Sequence, residues 1–356
     1  MLFSQESHLL VLVFVLVCCQ LGVSKADDGR NGITCVSSEV SRTITVDPQP
    51  GQAEFTTVQA AVDSIPPNNT DWIAIHLNPG LYREQVNIPQ GKSCILLLGD
   101  DKDRNSIEWG NFVNSDNQTA PTYDSATFTS WAENFVARRI TFKNTYSLED
   151  PSLAVHRAVA ATIFGDKSSF EDCGFIGVQD TLADALGRHY FYNCYIEGAY
   201  DFIWGNGQSI YDECEILVRE HPTRNGNTAY ITAQGRATQD QTTGFVFKNG
   251  RLNGAGNARA YLGRAWYDYS TVIYYNMIFS SNGLLEIVPP RWHDWGKPTA
   301  GIVYAEGKNT GPGSEIDVNN VVGWAKINFT DADFQPYIDL SFIDQEGWLS
   351  NQPRPL

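Results

Sequence analysis

Over most of its length the chain is cut into short runs in which Ile, Val, Phe, Tyr and Thr alternate with polar residues, and Gly, Asn and Asp separate the runs. Alternation with a period of two is the mark of strands, because successive side chains face opposite sides, and the separators are turn formers. Three runs repeat closely: Phe170-Glu-Asp-Cys173-Gly-Phe-Ile176, Phe191-Tyr-Asn-Cys194-Tyr-Ile196 and Tyr211-Asp-Glu-Cys214-Glu-Ile216, with cysteines 21 and 20 residues apart. Looser copies occur at Ile140-Thr-Phe-Lys-Asn144, Phe245-Val-Phe-Lys-Asn249 and Val272-Ile-Tyr-Tyr-Asn276, each an apolar and aromatic run ending in Asn. A period of about 20 to 29 residues holding three short strands predicts an all-β fold, a right-handed parallel β-helix. In such a single-stranded solenoid each coil stacks on the last. A propeller needs about 40 residues per blade, and a leucine-rich solenoid needs a regular Leu/Asn consensus that the chain lacks.

One segment has helical spacing instead. In Phe55-Thr-Thr-Val-Gln-Ala-Ala-Val-Asp-Ser-Ile65, Phe55, Val58, Val62 and Ile65 fall on one face. This predicts a short N-terminal helix capping the first coil, whose strand edges are otherwise open. Leu9 to Cys19 is an apolar run too short to span a bilayer, and Ser24-Lys25-Ala26 offers small residues at the −3 and −1 positions of a cleavage site. Residues 1–26 therefore read as a secretory signal and residues 27–356 as one domain. No later stretch is apolar for long enough to cross a membrane.

Charge narrows the partners. With 25 Lys+Arg against 41 Asp+Glu the chain carries a net −16 and has no long basic run, which argues against nucleic acid. Hydrophobic residues at 42% and charged residues at 19% argue against disorder. Beyond the signal, Cys35, Cys94, Cys173, Cys194 and Cys214 remain, an odd number, so at least one thiol lacks a partner within the chain. Cys173, Cys194 and Cys214 are expected to point inward on neighbouring coils, where free thiols and a bridge are both open. Sequons at Asn68, Asn117 and Asn328 fit a secreted glycoprotein.

The repeat also carries chemistry. Asp180 follows Cys173 by seven residues and Asp201 follows Cys194 by seven, so the two carboxylates share a phase and should lie on adjacent coils about 4.8 Å apart. Like charges so close do not both ionise easily. One is driven toward its protonated form while the other stays anionic, which supplies an acid and a nucleophile or base. His221 holds the same phase one coil later, but the residues around Cys214 differ too much to extend the site there.

Five ordered segments, Gly80-Leu-Tyr-Arg-Glu84, Arg157-Ala-Val-Ala160, Gly177-Val-Gln-Asp-Thr-Leu182, Asp201-Phe-Ile-Trp-Gly205 and Leu262-Gly-Arg-Ala-Trp266, resemble the signature segments of plant pectin methylesterases (pectinesterases). Phe55-Thr-Thr-Val-Gln-Ala-Ala-Val and Arg291-Trp-His-Asp-Trp295 extend the resemblance to nearly the whole mature region. The mature region begins almost directly at these segments, so the chain looks like a family member lacking the inhibitor-like N-terminal pro-region found in others.

The resemblance implies hydrolysis of methyl esters on galacturonate units of cell-wall pectin, with release of methanol. Asp201 would be the nucleophile, Asp180 the general acid and then base, Gln179 an oxyanion donor, and Arg264 the partner that keeps Asp201 ionised and oriented. Trp266 and Trp204 would contact substrate. At 21 residues per coil Arg264 would lie about three coils from Asp201, so either it reaches back along the groove or the coils differ in length. The family usually has Gln where this chain has Arg157, whose charge would either stabilise the oxyanion or tie up a catalytic carboxylate. Val178, Trp204 and Ala265 are milder departures.

The resemblance implies no cofactor and a secreted, monomeric wall enzyme. Methylated homogalacturonan is the expected partner and a proteinaceous pectinesterase inhibitor a further one, with neither nucleic acid nor membrane involved. The residues around His293 lack metal-ligand spacing and read as a surface or groove element. A polygalacturonase or pectate lyase on the same fold, and a pectin-binding wall protein without activity, are the competing readings.

Overall fold

A computed structural model describes residues 34–117, 119–148, 150, 152–220, 228–280 and 282–353. The segment read as a signal, and His221, lie outside the described residues. Three sheets of parallel strands run the length of the molecule. Among the described residues the first has ten strands, from Val40–Val46 to Val303–Gly307, the second nine and the third eight, and the chain visits them in rotation, as a parallel β-helix requires.

The core follows from the repeat. Phe170, Phe191, Tyr211, Phe247 and Tyr274 occupy one row of the first sheet, each in register with the next. Their rings stack with centroids 4.9, 4.5, 4.5 and 4.7 Å apart, inside the favourable range for aromatic pairs. At the end of each of these strands a single residue, Asp172, Asn193, Glu213, Asn249 or Asn276, turns the chain toward the third sheet with φ between 51 and 59°. Asn and Asp tolerate this left-handed conformation best, which explains the recurrent Asn at the run ends. Cys173, Cys194 and Cys214 follow these turns, point into the core and are unbridged, while Cys35 and Cys94 form a disulfide. Burial pushes the thiols of Cys173 and Cys194 well above the usual range.

Two expectations need correction, and one left open is decided. The run Ile140–Asn144 is not a copy of the same row: its strand Thr141–Asn144 lies in the third sheet, where Phe142 is in register with Phe175. Aromatic runs fill the interior from more than one sheet, so composition alone did not give the phase. The coils also differ in length, since Tyr211 pairs with Phe247 and Phe247 with Tyr274. Finally, the helix begins at Val58, not Phe55. Thr57 caps it by accepting the Ala60 N–H at 3.2 Å, while Phe55 pairs with Val46 as an extended residue.

The helix Val58–Ser64 buries Val58, Ala61 and Val62 against the first coils. Its first turn is held by Glu84, whose two oxygens accept from the Val58 and Gln59 N–H groups at 2.7 and 2.9 Å. Tyr82, buried nearby, donates to the carbonyls of Val46 and Asn78. The segment Gly80–Glu84 thus fastens the cap to the solenoid. At the other end, a helix Asp331–Ile338 that the periodicity did not reveal lays Phe334 over the outer face of the ten-stranded sheet, with Ile343 and Trp348 beyond it.

Candidate active site

Asp180 lies two residues before the strand Leu182–Asp184 and Asp201 is at the start of its neighbour Tyr200–Gly205 in the nine-stranded sheet. Leu182 is in register with Ile203, Gln179 bridges Tyr200, and the Asp180 N–H donates to the Tyr200 carbonyl at 2.9 Å. The spacing of 21 residues that separates the two aspartates is therefore the spacing of the sheet at this point. Both have left-handed backbone, φ 62° and 45°, and each is only 7% exposed. Buried carboxylates demand compensation.

Downstream, the strand Leu182–Asp184 is locked by a buried network. Asp184 meets His189 Nδ1 through Oδ1 and accepts the Tyr211 hydroxyl through Oδ2, both at 2.6 Å, while His189 Nε2 faces the Gly165 carbonyl at 3.0 Å. A Cβ at Gly207 would fall 1.9 Å from Asp184 Oδ1, so only glycine fits there. With one end of the strand fixed, the position of Asp180 at the other is restricted as well.

Asp201 is compensated by Arg264. The guanidinium donates from Nε to Oδ1 at 2.7 Å and from Nη2 to Oδ2, a bidentate pair with both side chains mostly shielded from water. Ile203 is in register with Thr232, and Thr232 with Gly263, so Arg264 lies two coils from Asp201 rather than three. Unequal coils and a side chain that reaches back along the groove both contribute.

Among the described residues Asp180 has no such partner. Burial pushes its carboxyl well above the usual range and the charge of Asp201 adds to the effect, while Arg157, Arg264 and a hydrogen bond from Gln179 pull the other way. The environment thus favours the protonated form at Asp180, beside a carboxyl that is paired with arginine.

Trp204 is 6% exposed, and its indole N–H donates to the Asp180 carbonyl at 3.0 Å. It stacks on Tyr123 and leans on the half-buried Trp266, with centroids 5.2 and 5.4 Å away. Tyr123 continues through Phe164 to the exposed Trp131, so that a run of aromatic contacts leads from Trp204 to the surface. Asp180, Asp201, Gln179, Arg264, Trp204 and Trp266 are therefore gathered in one place.

Arg157 stands at its edge and faces another way. Its Nη1 donates to Thr122 Oγ1 at 2.9 Å, and its Nη2 to the carbonyls of Asn114 and Asn117 at 3.2 and 2.6 Å. It ties Asn114, Asn117 and Thr122 together and makes no hydrogen bond or ion pair with either aspartate among the described residues. Its charge still acts on Asp180 through space.

Sequence reasoning assigned no role to Tyr230, Tyr123 or Trp295, all of which meet this constellation. The run Arg291–Trp295 carried a signal for Trp295, but nothing in the spacing tied it to Arg264. Among the described residues no group of three or more His, Cys, Asp and Glu is arranged to hold a metal ion. No helix among them is long and apolar enough to cross a membrane.

A model of the pectinesterase family matches residues 43–346. In sequence the chain is similar to Probable pectinesterase 55 of Arabidopsis thaliana, with 42% identity over 315 residues covering 86% of this chain and 89% of the relative. It is similar also to Probable pectinesterase 29 of the same plant, with 41% identity over 314 residues and the same coverage. In structure it is similar to a pectin methylesterase from carrot, with 28% identity and a TM-score of 0.78 over 94% of this chain and 99% of that one. A pectin methylesterase from Aspergillus niger matches with 25% identity and a TM-score of 0.72, over 89% and 98%.

Proposed function

Since the chain belongs to the pectinesterase family of carboxylic ester hydrolases, which de-esterify pectin, we propose that it does so through Asp201 as nucleophile and Asp180 as acid and base. The observation that carries the assignment is the asymmetry of the pair. Asp201 is held by a bidentate arginine, while Asp180 is buried against the charge of Asp201 and driven toward its protonated form.

A carboxylate oxygen of Asp201 attacks the ester carbonyl of a methylated galacturonate, and the carbonyl electrons move to oxygen. Arg264 occupies one lone-pair site on each Asp201 oxygen, leaving others free for attack. Gln179 donates to the developing oxyanion. When the intermediate collapses, the C–O bond to methanol breaks and Asp180 gives the departing oxygen its proton. Asp180, now anionic, takes a proton from water, which attacks the acyl-enzyme and releases the galacturonate carboxylate and Asp201. Trp266 packs against a sugar ring. Trp204 contributes chiefly by holding the Asp180 backbone.

In the same reading residues 1–26 are removed on secretion, and residues 27–356 act as a monomeric domain on methylated homogalacturonan in the wall, where a proteinaceous inhibitor can meet them. Purified protein should release methanol from highly methylated pectin without new reducing ends and without unsaturated uronide. Reducing ends in place of methanol would indicate a glycosidase, unsaturated product a lyase, and no product a binding protein.

Arg157→Gln has a directional outcome. Removing a positive charge that lowers the Asp180 pKa lets that pKa rise further, so the alkaline limb of the kcat profile should move to higher pH. An unshifted profile would mean that the charge of Arg157 does not reach Asp180.

A further inference from the structure

Two aromatic rings lie against the guanidinium of Arg264. Its Cζ is 4.3 Å from the centre of the Tyr230 ring and 3.6 Å from that of Trp295, both well inside the cation–π range. Both rings meet the guanidinium at its central carbon, Tyr230 from its strand and Trp295 from the turn that carries it. Its edge, with Nε and Nη2, is left to Asp201. We infer that Tyr230 and Trp295 form a clamp that fixes the plane of Arg264, and that Trp295 is thereby a positioning residue for the nucleophile.

Each ring is itself held. Tyr230 lies on the strand between those of Asp201 and Arg264, in register with Tyr200 and Tyr261, and it stacks on Tyr261 at 5.2 Å. Trp295 sits at the tip of a tight turn, with φ 53° followed by Gly296 at 72°. Its backbone N–H donates to His293 Nδ1 at 2.8 Å, and the Gly296 N–H to Asp294 Oδ1 at 2.8 Å. His293 in turn is in register with Arg264. The turn that carries Trp295 is therefore built on the neighbour of the residue it covers.

The need for a clamp follows from reach. Arg264 extends across two coils on a side chain with several free torsions, and rotating its plane would break one of the two bonds to Asp201. Packing two rings against it also removes water, which strengthens the ion pair. Trp295 is 42% exposed and absent from the core, so it has no evident packing role that would require a large aromatic residue there.

This inference rests on the reading of Asp201 as nucleophile. Orientation of the nucleophile matters in the transition state more than in substrate binding, so loss of the clamp should appear in kcat. In the purified full chain, Trp295→Ala should lower kcat for methanol release by about tenfold, the scale of a shielded cation–π contact, with KM within about twofold of wild type. Trp295→Phe, which keeps an aromatic face, should recover most of that loss. In an Arg264→Lys background, where no planar guanidinium remains to be held, Trp295→Ala should cost little more, because residues acting through one another are not additive.

Thermal unfolding of each variant separates loss of fold from loss of positioning. A raised KM with kcat unchanged would make Trp295 a sugar contact and overturn the clamp. So would an equal loss from Trp295→Ala in the wild-type and Arg264→Lys backgrounds. Arg264→Lys measured alone tests the underlying reading: full activity there removes Arg264 from the site and the clamp with it. An impaired Arg264→Lys with additive loss leaves the reading standing and overturns the clamp alone.

Discussion

Asp201→Asn is expected to lower methanol release by about 10⁴-fold or more, the scale seen when a covalent nucleophile is removed. The substitution preserves shape and leaves one oxygen to accept from Arg264, so the site should remain assembled. What disappears is the anionic oxygen that forms the acyl bond. An amide oxygen is too weak a nucleophile to replace it, and the second carboxyl cannot substitute, because Asp180 is held toward its protonated form by burial and by Asp201 itself. Initial rates on highly methylated pectin, with thermal unfolding as a check on the fold, decide the matter. Retention of more than a few per cent of wild-type activity would remove Asp201 from the role of nucleophile.

Asp180→Asn is expected to cut the rate by about 10²- to 10⁴-fold, the usual worth of a positioned acid–base group, and at the same time to stabilise the protein above acidic pH. The sign follows from linkage. The folded-state pKa of Asp180 is raised, so over the interval between its ordinary and raised values the folded protein binds a proton that the unfolded chain has released. The stability associated with that proton is fully present below the ordinary carboxylate range and is lost as pH rises through the folded value. Asparagine does not ionise, so the variant should lack that decline. Unfolding midpoints of both proteins, followed from about pH 4 to pH 8, should diverge as pH rises. Parallel curves would show that Asp180 is not held protonated. Loss of activity with gain of stability is the pattern of a group kept in an unfavourable environment for its chemistry.

Much of the site was legible because a parallel β-helix turns sequence phase into spatial adjacency. Asp180 and Asp201 share a phase relative to Cys173 and Cys194, and ladder hydrogen bonding places residues of equal phase on neighbouring strands. The same rule made the inward cysteines and the stack of Phe170, Phe191 and Tyr211 readable. Wherever the chain keeps its 20- to 21-residue period, residue identity and spacing suffice, because strand pairing has a fixed rise and a two-residue alternation.

What escaped the sequence lies where that period breaks or where a long side chain chooses among directions. Arg264 reaches Asp201 from two coils away because the coils beyond residue 211 are longer, and spacing does not report how much chain an excursion absorbs. Arg157 turns to the carbonyls of Asn114 and Asn117 rather than into the groove, a choice set by a loop whose shape no periodicity encodes. The pairing of Cys35 with Cys94, the burial of Trp204 beneath Tyr123 and Trp266, and the contact of Trp295 with Arg264 depend likewise on how non-repeating segments close over the sheets. The sequence by itself determined the coil, the core row from Phe170 through Phe191 to Tyr211 and the stacked carboxylates, since those follow from local strand periodicity. The family resemblance had already paired Arg264 with Asp201, but only the tertiary structure decided how Arg264 spans two coils to reach it and where Arg157 turns, because torsions and loop paths are selected by contacts between residues far apart in the chain.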